Sequence, residues 1–287
     1  MTIRNPVEWS GAQFVNVAHA VKSATVSLHH IQDTIHSPAP TINRIRTTDV
    51  WEALLEGFRD FEAYRTDVIF LCVVYVVLGL VLARLAFGMD MLPLLFPLAS
   101  GFAILGPIAA LGLYEMSRLR ELGTEARWAN AFDVFRAPAI GAIAVLGILL
   151  IAIFLFWLAS AWMIYRYTLG PAAPVSMGVF VHDIFNTNAG HAMIVIGIGT
   201  GFVFALCAMS ISIVSFPLLL DRDIGLTTAI RTSVRAVIAN PIPMALWGLI
   251  VASGLIIGSM PLFVGLIVVL PVLGHATWHL YRKLIPR

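Results

Sequence analysis

His275 and His279 stand four residues apart in the stretch Gly274-His275-Ala276-Thr277-Trp278-His279. On a helix that spacing puts both rings on one face. Two imidazoles so placed can fill two positions on a transition metal or face a haem. Zinc needs a third protein ligand, and none stands nearby in the sequence. The pair therefore reads as two interfacial histidines beside Trp278 and Tyr281, aromatic residues of the kind that gather at membrane boundaries. No metal and no cofactor is expected. Glu115, Asp221 and Asp223 are placed where an acid/base pair would meet a substrate, but Arg118 and Arg222 stand beside them, and ion pairs are the expected use. Ser210, Ser212 and Ser215 do not form one polar stripe, because residues two apart do not share a helix face. Their hydroxyls are expected to bond back to their own helix or across to a neighbour. Gly197-Ile198-Gly199-Thr200-Gly201 has the glycine spacing of a nucleotide loop without the preceding strand such a loop requires. Cys72 and Cys207 form no CxxC and read as small apolar packing residues.

The elements that carry these residues follow from composition. Hydrophobic residues are 59% of the 287 and charged residues 12%, about half the charge of a soluble domain. Long stretches lack charge altogether, and runs of about 18 or more apolar residues read as spanning helices. The fold class is all-α, a polytopic membrane protein with six transmembrane helices: Val68–Ala86, Met91–Tyr114, Ala139–Tyr165, Gly190–Leu220, Ile242–Ile257 and Met260–Tyr281. The fourth would be roughly 45 Å long at 1.5 Å per residue, longer than the hydrocarbon core. Gly258 and Ser259 alone separate the last two, which predicts a tight hairpin or one broken span. The first apolar run starts too far into the chain for a secretory signal peptide, and none is expected.

Sixteen of the 18 Lys and Arg residues fall before the first span, in the second-to-third and fourth-to-fifth connections, or after the sixth. Only Arg84 and Arg166 fall on the other side. Basic residues stay on the cytoplasmic side, so both termini are expected there, in a multi-pass protein of the inner (cytoplasmic) membrane. A formal net charge of +2 gives nucleic-acid binding no electrostatic support. The expected partners are the lipid bilayer and either another membrane protein or a second copy of the chain.

Residues 1–46 read as an N-terminal cytoplasmic amphipathic helix and linker, with Phe14, Val17, Val21, Ala24, Leu28, Ile31 and Ile35 in one apolar stripe. His19, His29 and His30 lie off that stripe, with no cysteine or carboxylate cluster to make a metal site. Residues 47–287 form the membrane domain. Asp49 and Glu52 have capping-box spacing and open a second amphipathic helix whose apolar face holds Trp51, Leu54, Leu55, Phe58 and Phe61. Similar stretches precede the third span (Trp128, Ala131, Phe132, Phe135) and the fifth (Leu226, Ile230, Val234, Val237). Aligning Phe58-Arg59, Phe135-Arg136 and Val234-Arg235 yields three repeated units, 47–123, 124–225 and 226–287, each an interfacial amphipathic helix plus two spans. Trp51, Phe58, Arg59, Trp128, Phe135, Arg136 and Arg235 are the expected interfacial anchors. Any short basic connection between spans has some of the same character, so the repeat alone does not imply transport.

The centres of the six spans contain no Asp, Glu, Lys or Arg. Intramembrane charges usually mark proton relays and ion sites, and their lack argues against a pump or a charge-coupled transporter. Gly197, Gly201 and Ala205 repeat at four-residue spacing, which lets helix backbones approach closely. Pro93, Pro97, Pro107, Pro261 and Pro271 predict broken or kinked spans whose freed carbonyls neighbours must satisfy.

Four segments carry a resemblance: Leu94-Leu95-Phe96-Pro97-Leu98-Ala99-Ser100-Gly101-Phe102, Gly112-Leu113-Tyr114-Glu115-Met116-Ser117-Arg118, Ser215-Phe216-Pro217-Leu218-Leu219-Leu220-Asp221-Arg222 and Gly274-His275-Ala276-Thr277-Trp278-His279-Leu280-Tyr281-Arg282. Over roughly residues 50–285 the chain resembles the bacterial integral membrane family called domain of unknown function 2189. The resemblance implies an inner-membrane protein and carries no catalytic residue with it. Some members are labelled cytochrome c oxidase subunit I-like. A haem–copper catalytic subunit has about twice as many spans and several histidines deep in the membrane, whereas His191, His275 and His279 lie near span ends. The expected function is therefore a non-enzymatic accessory, assembly or scaffold subunit of a membrane complex. The alternative is a permeation pathway for a neutral or weakly polar solute. A membrane enzyme using Glu115, Asp221 or Asp223 is the third reading.

Overall fold

The computed structural model describes residues 39–88, 92–124, 128–172 and 174–287. The N-terminal stripe from Phe14 to Ile35 lies outside them. Among the described residues the regular structure is all helical, with no strand. A helix α1 (Thr47–Gly88) opens the chain and is kinked at Tyr64, whose φ of −116° and ψ of 15° leave the helical region. The expected amphipathic helix at 49–61 is thus the first arm of α1, joined through the kink to the stretch predicted as the first span. Among the described residues three helices are long and apolar enough to cross a membrane: α6 (Ile140–Thr168), the run Asn188–Asp221, and α11 (Pro241–Ser259).

The second predicted span, Met91–Tyr114, is not one helix. After a 3-10 turn at Leu92–Leu94 it forms α2 (Leu95–Ala99), α3 (Gly101–Ile104), α4 (Gly106–Ala109) and α5 (Leu111–Glu121). The breaks fall at Ser100, Leu105 and Ala110, all with ψ between −13° and −3°. Proline removes an N–H and frees a carbonyl one turn before it. The break at Ser100 is closed by side chains: Ser100 Oγ donates to the Pro97 carbonyl at 2.6 Å and accepts from Trp157 Nε1 of α6 at 2.8 Å.

The fourth predicted span also divides, into α8 (Asn188–Ser212) and α9 (Ser215–Asp221), after a short α7 (Met177–Asn186). Ser212 and Ser215 bond back to the carbonyls of Ala208 and Ile211, each at 2.6 Å. The amphipathic helix expected before the third span is a 3-10 helix, Trp128–Arg136. Residues three apart eclipse one another in that geometry. Ala131 and Val134 are accordingly buried together, while Phe132 and Phe135 stack outside with ring centroids 6.4 Å apart.

The stretch before the fifth span is the α-helix α10 (Leu226–Ala239). The last two predicted spans are joined by more than the expected two-residue hairpin. α11 runs to Ser259, and α12 (Leu266–Leu284) begins after six intervening residues. Pro261 cannot continue a helix, and the chain reverses through Leu262 and Phe263 at φ of 51° and 66°, a region non-glycine residues seldom enter. α12 packs along α1, and α5 against α12, so the three helices meet at one end of the molecule, around the C-terminal half of α12.

Candidate functional site

At that end, α1 supplies Glu56 and Asp60, α5 supplies Ser117 and Arg120, and α12 supplies His275 and His279. Glycine makes the meeting possible. A methyl group at Gly57 would lie 2.6 Å from Ala276 Cα and Cβ, and one at Gly274 would lie 3.2 Å from Leu113 Cβ. Without a side chain at either place the three backbones approach closely enough for short side chains to touch.

Asp60 is the hub and is 4% exposed. Its Oδ2 accepts from Ser117 Oγ at 2.6 Å and from His279 Nε2 at 2.8 Å. Its Oδ1 accepts from Arg120 Nη1 at 2.8 Å, and the same nitrogen reaches the Arg59 carbonyl at 3.0 Å. Arg120 also lies over the ring of Tyr64, 5.8 Å from its centroid, beside the kink of α1. His279 Nδ1 faces Glu56 Oε2 at 3.4 Å. Burial alone would raise the Asp60 pKa. The hydrogen bonds from His279 and Ser117, with the nearby His279 and His275 rings, outweigh it and hold the carboxyl below the usual range.

The wiring follows from proton counting. Ionised Asp60 only accepts, so the single Ser117 proton goes to it. His275 Nδ1, 2.8 Å from Ser117 Oγ, must then donate, leaving Nε2 as the ring's other polar atom. That nitrogen is buried and has no hydrogen-bond partner among the described residues. A nucleophilic serine would need its histidine oriented by the carboxylate and its own oxygen open to substrate. Here the carboxylate holds the serine instead, and Ser117 and His275 are 1% and 0% exposed. The arrangement suits holding helices together. The two histidines do share a face, as their spacing predicts, but they meet a carboxylate and a hydroxyl. Among the described residues no group of three or more His, Cys, Asp or Glu is placed to hold a metal ion.

A second polar layer closes the same end. Glu121, at the end of α5, accepts from Trp278 Nε1, Arg282 Nε and Arg287 Nη2 at 2.7–3.1 Å. Asp221, at the end of α9, accepts from Tyr281 Oη at 2.6 Å and Arg282 Nη1 at 3.1 Å. Arg222 donates to the Pro286 carbonyl, and Lys283 to Glu52 at 2.8 Å. Glu115 pairs with Arg118 through two bonds of 2.9 Å. Before α1 the chain is strapped down: Asn43 N donates to the Leu284 carbonyl at 2.8 Å, and Asn240 Oδ1 accepts from Ile45 N at 2.8 Å.

The remaining sequence-derived residues are scattered. On the first arm of α1, Val50, Ala53 and Phe61 are buried, whereas Trp51, Leu55 and Phe58 form a stripe exposed on the outside. Arg59 and Arg235 are exposed, and Arg136 pairs with Asp133 at 3.3 Å. The side chain of Trp128 lies outside the described ones. A side chain at Gly201 would meet the Trp157 ring of α6 at 3.0 Å; at Gly197 there is nothing within 4 Å, and Ala205 is exposed. Sequence reasoning missed Asp60 and Ser117. The available signal was composition: Asp60 follows the amphipathic stripe of a helix otherwise apolar on its buried side.

Residues 94–221 match the model of a family described as predicted integral membrane protein, DUF2189. That stretch contains Ser117 and Arg120 of the polar cluster; Asp60 and both histidines lie outside it. No curated protein and no solved structure matches the chain. With three helices able to cross a bilayer, the chain is a membrane-integral, helical protein in contact with lipid.

Proposed function

We propose that this chain is a non-enzymatic accessory or scaffold subunit of a complex in a bacterial inner membrane. In this reading it has six membrane passes in three units, 47–123, 124–225 and 226–287, with both termini cytoplasmic. One observation carries the reading: α8 is almost bare. Only Gly190, Ala208 and Ser212 of its 25 residues are buried. Lipid alone can cover Val195 and Phe202, but Gly197, with nothing within 4 Å of where a side chain would stand, leaves a gap against which a second helix can pack closely.

Two further features agree with it. Asp60, Ser117 and His275, the centre of the cluster, are bonded together and buried, which favours a structural role over catalysis. The large cleft between the spans is apolar, and the hydroxyls of Ser212 and Thr277 in its wall bond to their own helices at 2.6 and 2.7 Å. A route for a polar solute gains no support there. The test is extraction of the chain with its surrounding lipid in polymer-bounded discs, followed by mass spectrometry of the protein content. The expected result is a partner chain or a second copy that is lost on Gly197→Leu. A single chain alone, unchanged by the substitution, would overturn the reading.

A further inference from the structure

A cleft of about 670 Å³ lies between α3–α5, the second half of α8, α11 and α12, within the size range of small-molecule sites. Small residues on facing walls make it: Ala103, Gly106 and Ala110 on one side, Ala245, Gly248 and Ala252 on the other. Gly106 has no atom within 4 Å of where a side chain would stand. Phe202, Leu206 and Leu249 line the cleft and are also exposed on the outer surface, so it opens sideways, toward where lipid lies. At its rim stands Ile238, 72% exposed, on α10. Arg231 and Arg235 precede it by seven and three residues, so all three share one face of that helix. Both arginines are exposed, and neither forms an ion pair among the described residues. This differs from Arg118, Arg120, Arg222 and Arg282, each of which is bound to a carboxylate.

We propose that the cleft seats an acyl chain of an anionic phospholipid whose phosphate is held at the rim by Arg231 and Arg235. The apolar walls offer a chain a dry seat, and two exposed guanidinium groups without an ion pair among the described residues, on the helix face that brings Ile238 to the rim, select a negative headgroup. A neutral apolar ligand would use the cleft but leave the arginines without a role. The proposal rests on the placement of α10 at the lipid–water boundary within the reading above, and is otherwise independent of any partner on α8.

The test is native mass spectrometry of the full chain in mild detergent, titrated separately with dioleoyl phosphatidylglycerol and dioleoyl phosphatidylcholine. One phosphatidylglycerol is expected to bind in preference to phosphatidylcholine. The double variant Arg231→Gln/Arg235→Gln should weaken phosphatidylglycerol about 30-fold and bring it level with phosphatidylcholine. Ala252→Phe should abolish binding of both; Ala245→Phe fills the same space and stands in if the first variant does not fold. Equal binding of the two lipids by the wild-type chain would overturn the headgroup assignment. Undiminished phosphatidylglycerol binding by the filled variants would overturn the cleft. Displacement of the lipid by inorganic phosphate at the same concentration would assign the arginines to a free anion and overturn the lipid. Loss of a partner chain on Gly197→Leu with lipid binding intact, or the reverse, separates this proposal from the scaffold reading.

Discussion

Asp60 concentrates the chemistry of the molecule in one carboxylate. It joins α1 to α5 through Ser117 and Arg120 and to α12 through His279. Removing one partner of a buried charge pair leaves the other uncompensated, at about 3–5 kcal/mol; Arg120 is 40% exposed, so water screens it and the lower end applies. Asp60→Asn is thus expected to cost about 3 kcal/mol, read as earlier unfolding in a denaturing-detergent titration at neutral pH. The sign of the pH dependence follows from the depressed carboxyl. Its folded pKa lies below 3.8, so its contribution is complete above that value and is lost as pH falls through the folded pKa. Wild-type stability should therefore fall on acidification below 3.8, and Asp60→Asn should lack that component; parallel acid limbs in the two proteins would contradict it. The pair His275/His279 was legible because spacing of four reports a helix face. Asp60 and Ser117 were not, because their contacts to the histidines cross 219 and 158 residues of sequence and neither belongs to a motif.

Helix contacts are governed by where side chains are missing. Gly57 lies against the backbone of Ala276, and a larger residue there must push α12 off α1. Gly57→Leu is expected to destabilise the chain by about 3 kcal/mol, at the upper end for overpacking because backbone yields less than side chain. Gly201→Leu meets only the rim of the Trp157 ring, which can tilt, and should cost about 1 kcal/mol. The same titration checks both, and an equal effect would contradict the distinction. Apolar runs made the long helices legible, and the prolines of the second span marked it as breakable. The 3-10 form of Trp128–Arg136 was hidden because Trp128, Ala131 and Phe135 fit an α-helical stripe as well. Val134, buried with Ala131, decides for the tighter turn. The reversal at Leu262 and Phe263 had no local signal beyond Pro261, since neither residue favours positive φ.

At the scale of the whole molecule, one end is tied by carboxylate–arginine and amide contacts, while long helices leave broad apolar surface uncovered. Both ends of the described chain meet at the tied end, where Asn43 bonds Leu284 and Lys283. Reporter fusions at Gly123 and after Arg287 should accordingly read cytoplasmic, and one at Gly170 periplasmic; a shared side for Gly123 and Gly170 would remove α6 as a span. The central claim, that the bare surface of α8 receives another helix, is tested most directly in the intact membrane with a photo-crosslinking residue at Ile198 and a control at Ile148 on α6, 63% and 65% exposed. The account predicts a discrete protein adduct from Ile198, abolished by Gly197→Leu, and only lipid adducts from Ile148. Lipid adducts alone from both positions would contradict it.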